Sequence, residues 1–433
     1  MLFQDVSSIE AIEVGDDEPL LAQLRQAGPM NLDWARQLME ARGVDALVLG
    51  DPINVFHVTG HWPFVGRTRP GAPPTMFVVI GQDPDVSPAL VVSRFYYYYT
   101  MVDGNFVQQR PVYIFGDVGD RVRAGGQPDR GDAPLSALEA DRAAQLAHSE
   151  ARHALTEGMA KGLAAAMRDL GLAQGHLAYD YAAIPGWLEA EGVSARWEQA
   201  DDILRHIRLI KSPLEIALMR RASAANLAAV HAAMPIVREG ARYRDFRRRF
   251  FAEAALRGNT GVTMSVDRVS NDLSAHRMSD GQALMIDCVS QAFGYHGDYG
   301  RTLFLGEPTA PMRKAVEAMS VGWEAIREAL KPGLLYSEVA AIGQAASRKA
   351  GYDFKIGFGP HSVGLMHTDE PIAWVDGLPG KADLRLRENM IISVDCPVLE
   401  VGYGGSAHLE DLTLITADGA EQIHPLTATA LVI

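Results

Sequence analysis

Five side chains in the C-terminal half have the types and spacing to do metal chemistry. Asp287 and Asp298 lie in LMIDCVSQAFGYHGDYGRTLF, His361 in GFGPHSVGLMHTDEP, and Asp395 and Glu410 in MIISVDCPVLEVGYGGSAHLEDLTLIT. Four carboxylates and one imidazole make an oxygen-rich ligand set with a single nitrogen. Such a set suits two divalent ions that share bridging carboxylates, and it accepts manganese, iron, cobalt or zinc. Two ions held together can activate a water and polarise a carbonyl.

The elements around these residues must bring them to one place. Asp287 and Asp298 are eleven residues apart, and Gly294 and Gly297 lie between them. A hairpin turning in that segment delivers both carboxylates to one edge of a sheet. Asp395 and Glu410 are fifteen apart, separated by the Gly-rich stretch 402–405, so a second hairpin is expected. Glu410 is then placed to bridge the ions, with Asp411 facing away on strand alternation. Asp395 would bind one ion and accept the proton of the nucleophilic water. Arg301 is expected to hold Asp298 through a bidentate contact. His276 in VSNDLSAHRM and His367 in LMHTDEP are the catalytic histidines in this reading. Each would donate to a substrate carboxylate or carbonyl, or move a proton on the leaving group.

The rest of the chain sets the frame. Its 433 residues support one large or two medium domains. Residues 1–200 read as an α/β domain, with a helix in NLDWARQLMEARGV and strands near 45–50, 75–81, 89–99 and 111–117. Residues 201–433 read as α+β, with helices covering a curved antiparallel sheet. Ser212, Pro213 and Glu215 mark the start of a long helix. A net charge of -14 argues against nucleic-acid and anionic-membrane partners. No apolar run approaches the roughly 20 residues of a membrane span, and the N-terminus lacks a signal-peptide pattern, so a cytoplasmic protein is expected. Cys288 and Cys396 are expected as buried core residues.

Four motifs in order carry a resemblance. IRLIKSPLEIALMRRA, the Asp287/Asp298 pair ending in RT, GPHSVGL, and LED followed by LIT resemble the creatinase, prolidase and methionine-aminopeptidase (M24, "pita-bread") family. The N-terminal half is similar to the extra domain of its prolidase, aminopeptidase P and creatinase members. The resemblance implies a pita-bread catalytic domain at 201–433 after a smaller creatinase-type α/β domain at 1–200. It implies two metal ions on Asp287, Asp298, His361, Asp395 and Glu410, with His276 and His367 as active-site histidines. The implied activity is hydrolysis of a small amide, as in an Xaa-Pro dipeptidase or aminopeptidase, by a metal-bridging hydroxide. The alternative is a metal-dependent lyase of the dimethylsulfoniopropionate-cleaving type, for which Trp62 and Phe95–Tyr99 could cage a cation. A non-enzymatic binding protein on the same fold is the third reading, and four converging carboxylates argue against it. The resemblance also implies a homodimer, with His57, Trp62 and Pro63 at the cross-subunit contact.

Two departures from the family stand out. Asp395, in VDCPV, replaces a glutamate usually found in Glu-Pro-Gly, and a misplacement of about 1 Å can cost on the order of 100-fold in rate. Glu400 is the fallback ligand. The segment from His361 to His367 is also one residue shorter than the usual peptidase pattern, which displaces the second histidine.

Overall fold

The computed structural model divides into two compact units, Asp17–Ile207 and Met1–Asp16 with Arg208–Ile433. It describes residues 2–63, 71–97, 111–116, 131, 133–152, 156–425 and 427–433. The domain boundary expected at residue 200 falls at 207/208. Residues 1–16, expected in the first domain, belong with the second unit, because Phe3–Asp5 pairs in parallel with Ala430–Val432 near the C-terminus.

The unit Asp17–Ile207 is built on a seven-stranded mixed sheet. Ala46–Leu49 sits inside it, antiparallel to Met76–Gly81 on one side and parallel to Gln174–Tyr179 on the other. Alternate residues of these strands feed two cores. Leu47, Leu49, Val78 and Leu90 face Met39 and Ile207, while Ala46, Val48, Phe77 and Val79 face Leu163, Met167 and Leu188. The helix Leu32–Arg42 starts at the Asn31 cap and stops at Gly43, whose φ of 64° suits a residue without a Cβ. The strand expected over 89–99 ends at Ser93, whose side chain accepts from the Tyr96 amide and turns the chain into the short helix Arg94–Tyr96. Tyr98 and Tyr99 lie outside the described residues. His57 and Pro63 are buried inside this unit and Trp62 stacks on Phe56 at 4.7 Å.

The second unit is organised by a long hairpin, Gln282–Ala292 paired with Tyr295–Leu305. Its turn is Phe293-Gly294, with φ of 50° and 81°. Positive φ at both turn residues matches the twist of the flanking strands. Thr260–Val266 adds on one side of the hairpin, and Glu410–Asp411 and Ala430–Val432 on the other. The sheet is therefore antiparallel except where the last strand joins it. A separate four-stranded sheet contains Gly359–Ser362, Ile391–Asp395, Thr413–Ile415 and Ala420–Gln422.

The helix Pro213–Ala233 begins with a capping box between Ser212 and Glu215. It pins the hairpin through Asn226, whose amide donates to the Cys288 carbonyl at 2.8 Å and accepts from Ser290 at 2.7 Å. Cys288 and Cys396 are free and fully buried in two different clusters, beside Tyr299 and Leu303 and beside Val394 and Leu409 respectively. Among the described residues no helix is long and apolar enough to cross a membrane.

Candidate metal centre

Strand register places three carboxylates on one face. Asp287 lies opposite Gly300, and Glu410 lies opposite Gly300 from the other side. Asp298 is two residues before Gly300 and shares its face. Gly300 thus sits between two acids and must stay bare, since a Cβ there would lie 2.4 Å from the His408 ring and 2.7 Å from the Glu410 Cβ. The facing residues come from the four-stranded sheet, where Gly359 pairs with Asp395 and puts His361, two residues on, beside it.

The ligand atoms converge. Three sets each have theirs within 4.8 Å of one another: Asp287, Asp298 and Glu410; His361, Asp395 and Glu410; and Asp298, His361 and His367. The His361 Nε2 lies 3.0 Å from Glu410 Oε1, 3.5 Å from Asp395 Oδ2 and 3.9 Å from Asp298 Oδ2. Asp298 and Glu410 are each 1% exposed, whereas the Asp395 side chain is 43% exposed. All five residues of the expected ligand set are therefore assembled. Glu400 is exposed and takes no part in these sets, so it is not a fallback ligand.

One expectation is corrected. Arg301 does not hold Asp298. Three residues apart on one strand, the two point to opposite faces, and Arg301 instead grips Asp411 bidentately at 2.7 and 3.0 Å. The same guanidinium donates to the Glu410 carbonyl at 3.0 Å, fastening the strand that carries Glu410. His276 is exposed and lies outside the ligand sets; it lines a separate pocket of about 580 Å³ with Tyr243, Asp267 and Gln282.

One residue was missed. His408 is buried, with its Nε2 3.1 Å from Glu410 Oε2 and 3.5 Å from Asp395 Oδ1. Its position two residues before Glu410 was the signal, because period-two alternation puts both on one face. His367, expected as a catalytic histidine, does reach the cluster, with Nε2 3.2 Å from Asp298 Oδ2.

The electrostatics are those of a site short of positive charge. Burial, then Glu410, push Asp287 up; burial, then Glu410 and Asp287, push Asp298 well above the usual carboxylate range. Asp395 rises to about 7, through burial and then Glu410. Burial works against charge on His361 and His408, yet their contacts with Glu410 hold both at about 9. Glu410 itself is held well down, against burial, by those two imidazoles. Asp287 Oδ1 and both Asp298 oxygens are buried atoms with no hydrogen-bond partner. Unpaired buried carboxylates are costly, and divalent cations relieve that cost while displacing the protons the histidines retain. The donor set fits such ions.

Comparisons with known proteins agree with this geometry. Residues 217–417 match the model of Metallopeptidase family M24. An Xaa-Pro dipeptidase from Pyrococcus furiosus is 27% identical over 255 residues, which span 56% of this chain and 70% of that protein. A dipeptidase structure from Pyrococcus horikoshii aligns at TM-score 0.68 and 16% identity, covering 93% of this chain and 100% of that one. An Xaa-Pro dipeptidase from Bacillus anthracis aligns at TM-score 0.65 and 16% identity, covering 93% and 99%. The matched residues contain the whole converging ligand set and the fold is the pita-bread fold of these neighbours, so residues 217–417 are similar to metallopeptidase family M24 and the chain resembles its prolidase-like members.

Proposed function

We propose that this metal-dependent peptidase cleaves short peptides with proline after the scissile bond, on a centre of two divalent ions. The observation that carries the reading is the shared face of Asp287, Asp298 and Glu410, closed from the other sheet by His361 and Asp395. Asp298 and Glu410 each take part in two of the three converging sets, which is what carboxylates shared between two ions require. When bound, the ions would supply an activated water and a Lewis acid for the substrate carbonyl.

The chain's own residues divide the remaining work. Asp298 and Glu410, fully buried on paired strands, hold the geometry rigid. Arg301 and Asp411 keep the Glu410 strand from shifting. Asp395, with its side chain 43% exposed, is placed to hold the proton released by the attacking water. His408 orients Glu410 from the side opposite His361. A homodimer belongs to the same proposal, read by light scattering in solution. The Pyrococcus and Bacillus anthracis relatives are dipeptidases by name, and no observation favours the lyase.

The test is turnover of metal-reconstituted protein on Xaa-Pro dipeptides and tripeptides, followed by mass spectrometry. Hydrolysis of one length class is expected. Silence across the panel with two ions bound would overturn the reading.

A further inference from the structure

We propose that His367 is a metal ligand, so that the ion held by Asp298 and His361 carries two imidazoles. The proposal rests on the metal reading of the site and adds a nitrogen to the five-residue set.

Geometry comes first. The His367 Nε2 is 3.2 Å from Asp298 Oδ2, the His361 Nε2 is 3.9 Å from the same oxygen, and the three donors lie within 4.8 Å of one another. Donor atoms bound to one ion at about 2.1 Å stand roughly 3–3.5 Å apart. The site is already drawn close to that size. A histidine serving only to meet substrate would aim its nitrogen outward. Here the side chain is 37% exposed, but Nε2 itself is buried, faces Asp298 and has no hydrogen-bond partner. The two Asp298 oxygens are likewise buried and unpartnered. The other ring nitrogen, Nδ1, lies 3.4 Å from the Thr368 hydroxyl. A ligating imidazole usually has its second nitrogen oriented by such a neighbour.

The loop that carries His367 is fixed from beneath. Asp369 receives the Arg208 Nε at 2.7 Å in a fully buried ion pair, and its amide donates to the Ser362 carbonyl at 2.9 Å. The Ser362 amide donates to Glu370 at 3.0 Å. Gly364 is held too close to Lys211 and Asp369 for a side chain, since a Cβ would meet them at 3.0 and 3.1 Å. These anchors come from residues on both sides of His367, so the imidazole is presented in a set position, as a ligand requires. A centre with two imidazoles on one ion favours cobalt, iron and zinc over manganese.

The experiment titrates metal-stripped full-length protein with cobalt(II), read by visible absorption and calorimetry, with manganese(II) in parallel. Wild type is expected to take up two ions. His367→Ala should weaken one of the two cobalt sites on the order of 10–100-fold and shift its absorption, with a smaller change for manganese. Added free imidazole should restore the spectrum, a rescue that a merely structural role would not show. Circular dichroism of the metal-free variant confirms that it folds. Unchanged cobalt affinity and spectrum in His367→Ala would overturn the proposal. Wild type that takes up no cobalt would overturn it together with the metal reading, whereas a silent peptide panel with two ions bound leaves the ligand assignment standing.

Discussion

Two loops of the catalytic unit each offer a histidine, and only one of them delivers it to the ligand cluster. The loop through His367 is tied down by the buried Arg208–Asp369 pair and by Glu370 on the Ser362 amide. The loop through His276 is held at Asp272, which pairs with Arg247 and Arg248 but is itself 44% exposed. It also contains Leu273 at 94% exposure and leaves the strand through Asp267 and Arg268, both at positive φ without being glycine. One loop is anchored by charges with no access to water, the other by charges that keep it. Position in a motif therefore does not say which histidine reaches the ligand atoms. Burial of the anchor does, because a desolvated pair cannot exchange its partner for solvent.

The largest effect should come from the shared acid. Asp298→Ala should abolish binding of at least one ion and lower turnover on the order of 10³-fold or more, read by metal content and kinetics together. Next is the anchor comparison itself. Arg208→Met removes the guanidinium partner of buried Asp369, at a cost of about 3–5 kcal/mol in denaturant unfolding. Arg277→Met on the exposed loop, where the Arg277 side chain donates to the Gly240 carbonyl, should stay within about 0.5 kcal/mol. Equal losses would erase the distinction between the loops.

A pH titration sharpens the same point for the metal-free protein. His361 and His408 have folded values near 9, above the ordinary imidazole value. The native state then binds more protons than the unfolded chain between about 6.5 and about 9. Their stabilisation is fully present below that window and lost as pH rises through it. Asp395, raised to about 7, acts in the same direction at lower pH. The unfolding temperature of the metal-free protein should fall from pH 6.5 to 9, and bound divalent ions should flatten the trend. A rise over that window would contradict the assigned contacts.

Smaller effects follow. Asp395→Glu extends an acid whose side chain is 43% exposed and should keep both ions and retain or raise Xaa-Pro hydrolysis. Collapse of activity with metal retained would mean a site shaped for aspartate. His276→Ala should be the mildest change, leaving metal content intact and turnover within about tenfold. A loss matching that of Asp298→Ala would return His276 to the active site.

Much of the centre was legible because its signals are local. The Asp287/Asp298 hairpin follows from glycines between two β-rich runs, and the helix at Pro213 from its capping residues. Simple alternation also held information that went unread. It places His408 with Glu410, and it forbids Arg301 from reaching Asp298. The Phe3–Asp5 strand was harder, since nothing nearby in sequence says that its partner lies more than 400 residues away.

By itself the sequence determined which residue types exist to bind metal, the faces they occupy within each strand, and where the helices begin. These are short-range matters of side-chain period, turn conformation and capping. Only the tertiary structure decided that His367 and His408 join the cluster while His276 and Glu400 stay outside it. That choice depends on contacts such as Arg208–Asp369, 161 residues apart, and on the register that sets Gly300 between Asp287 and Glu410. Burial there strengthens each contact and makes every unpaired charge costly, and no single stretch of chain carries that energy.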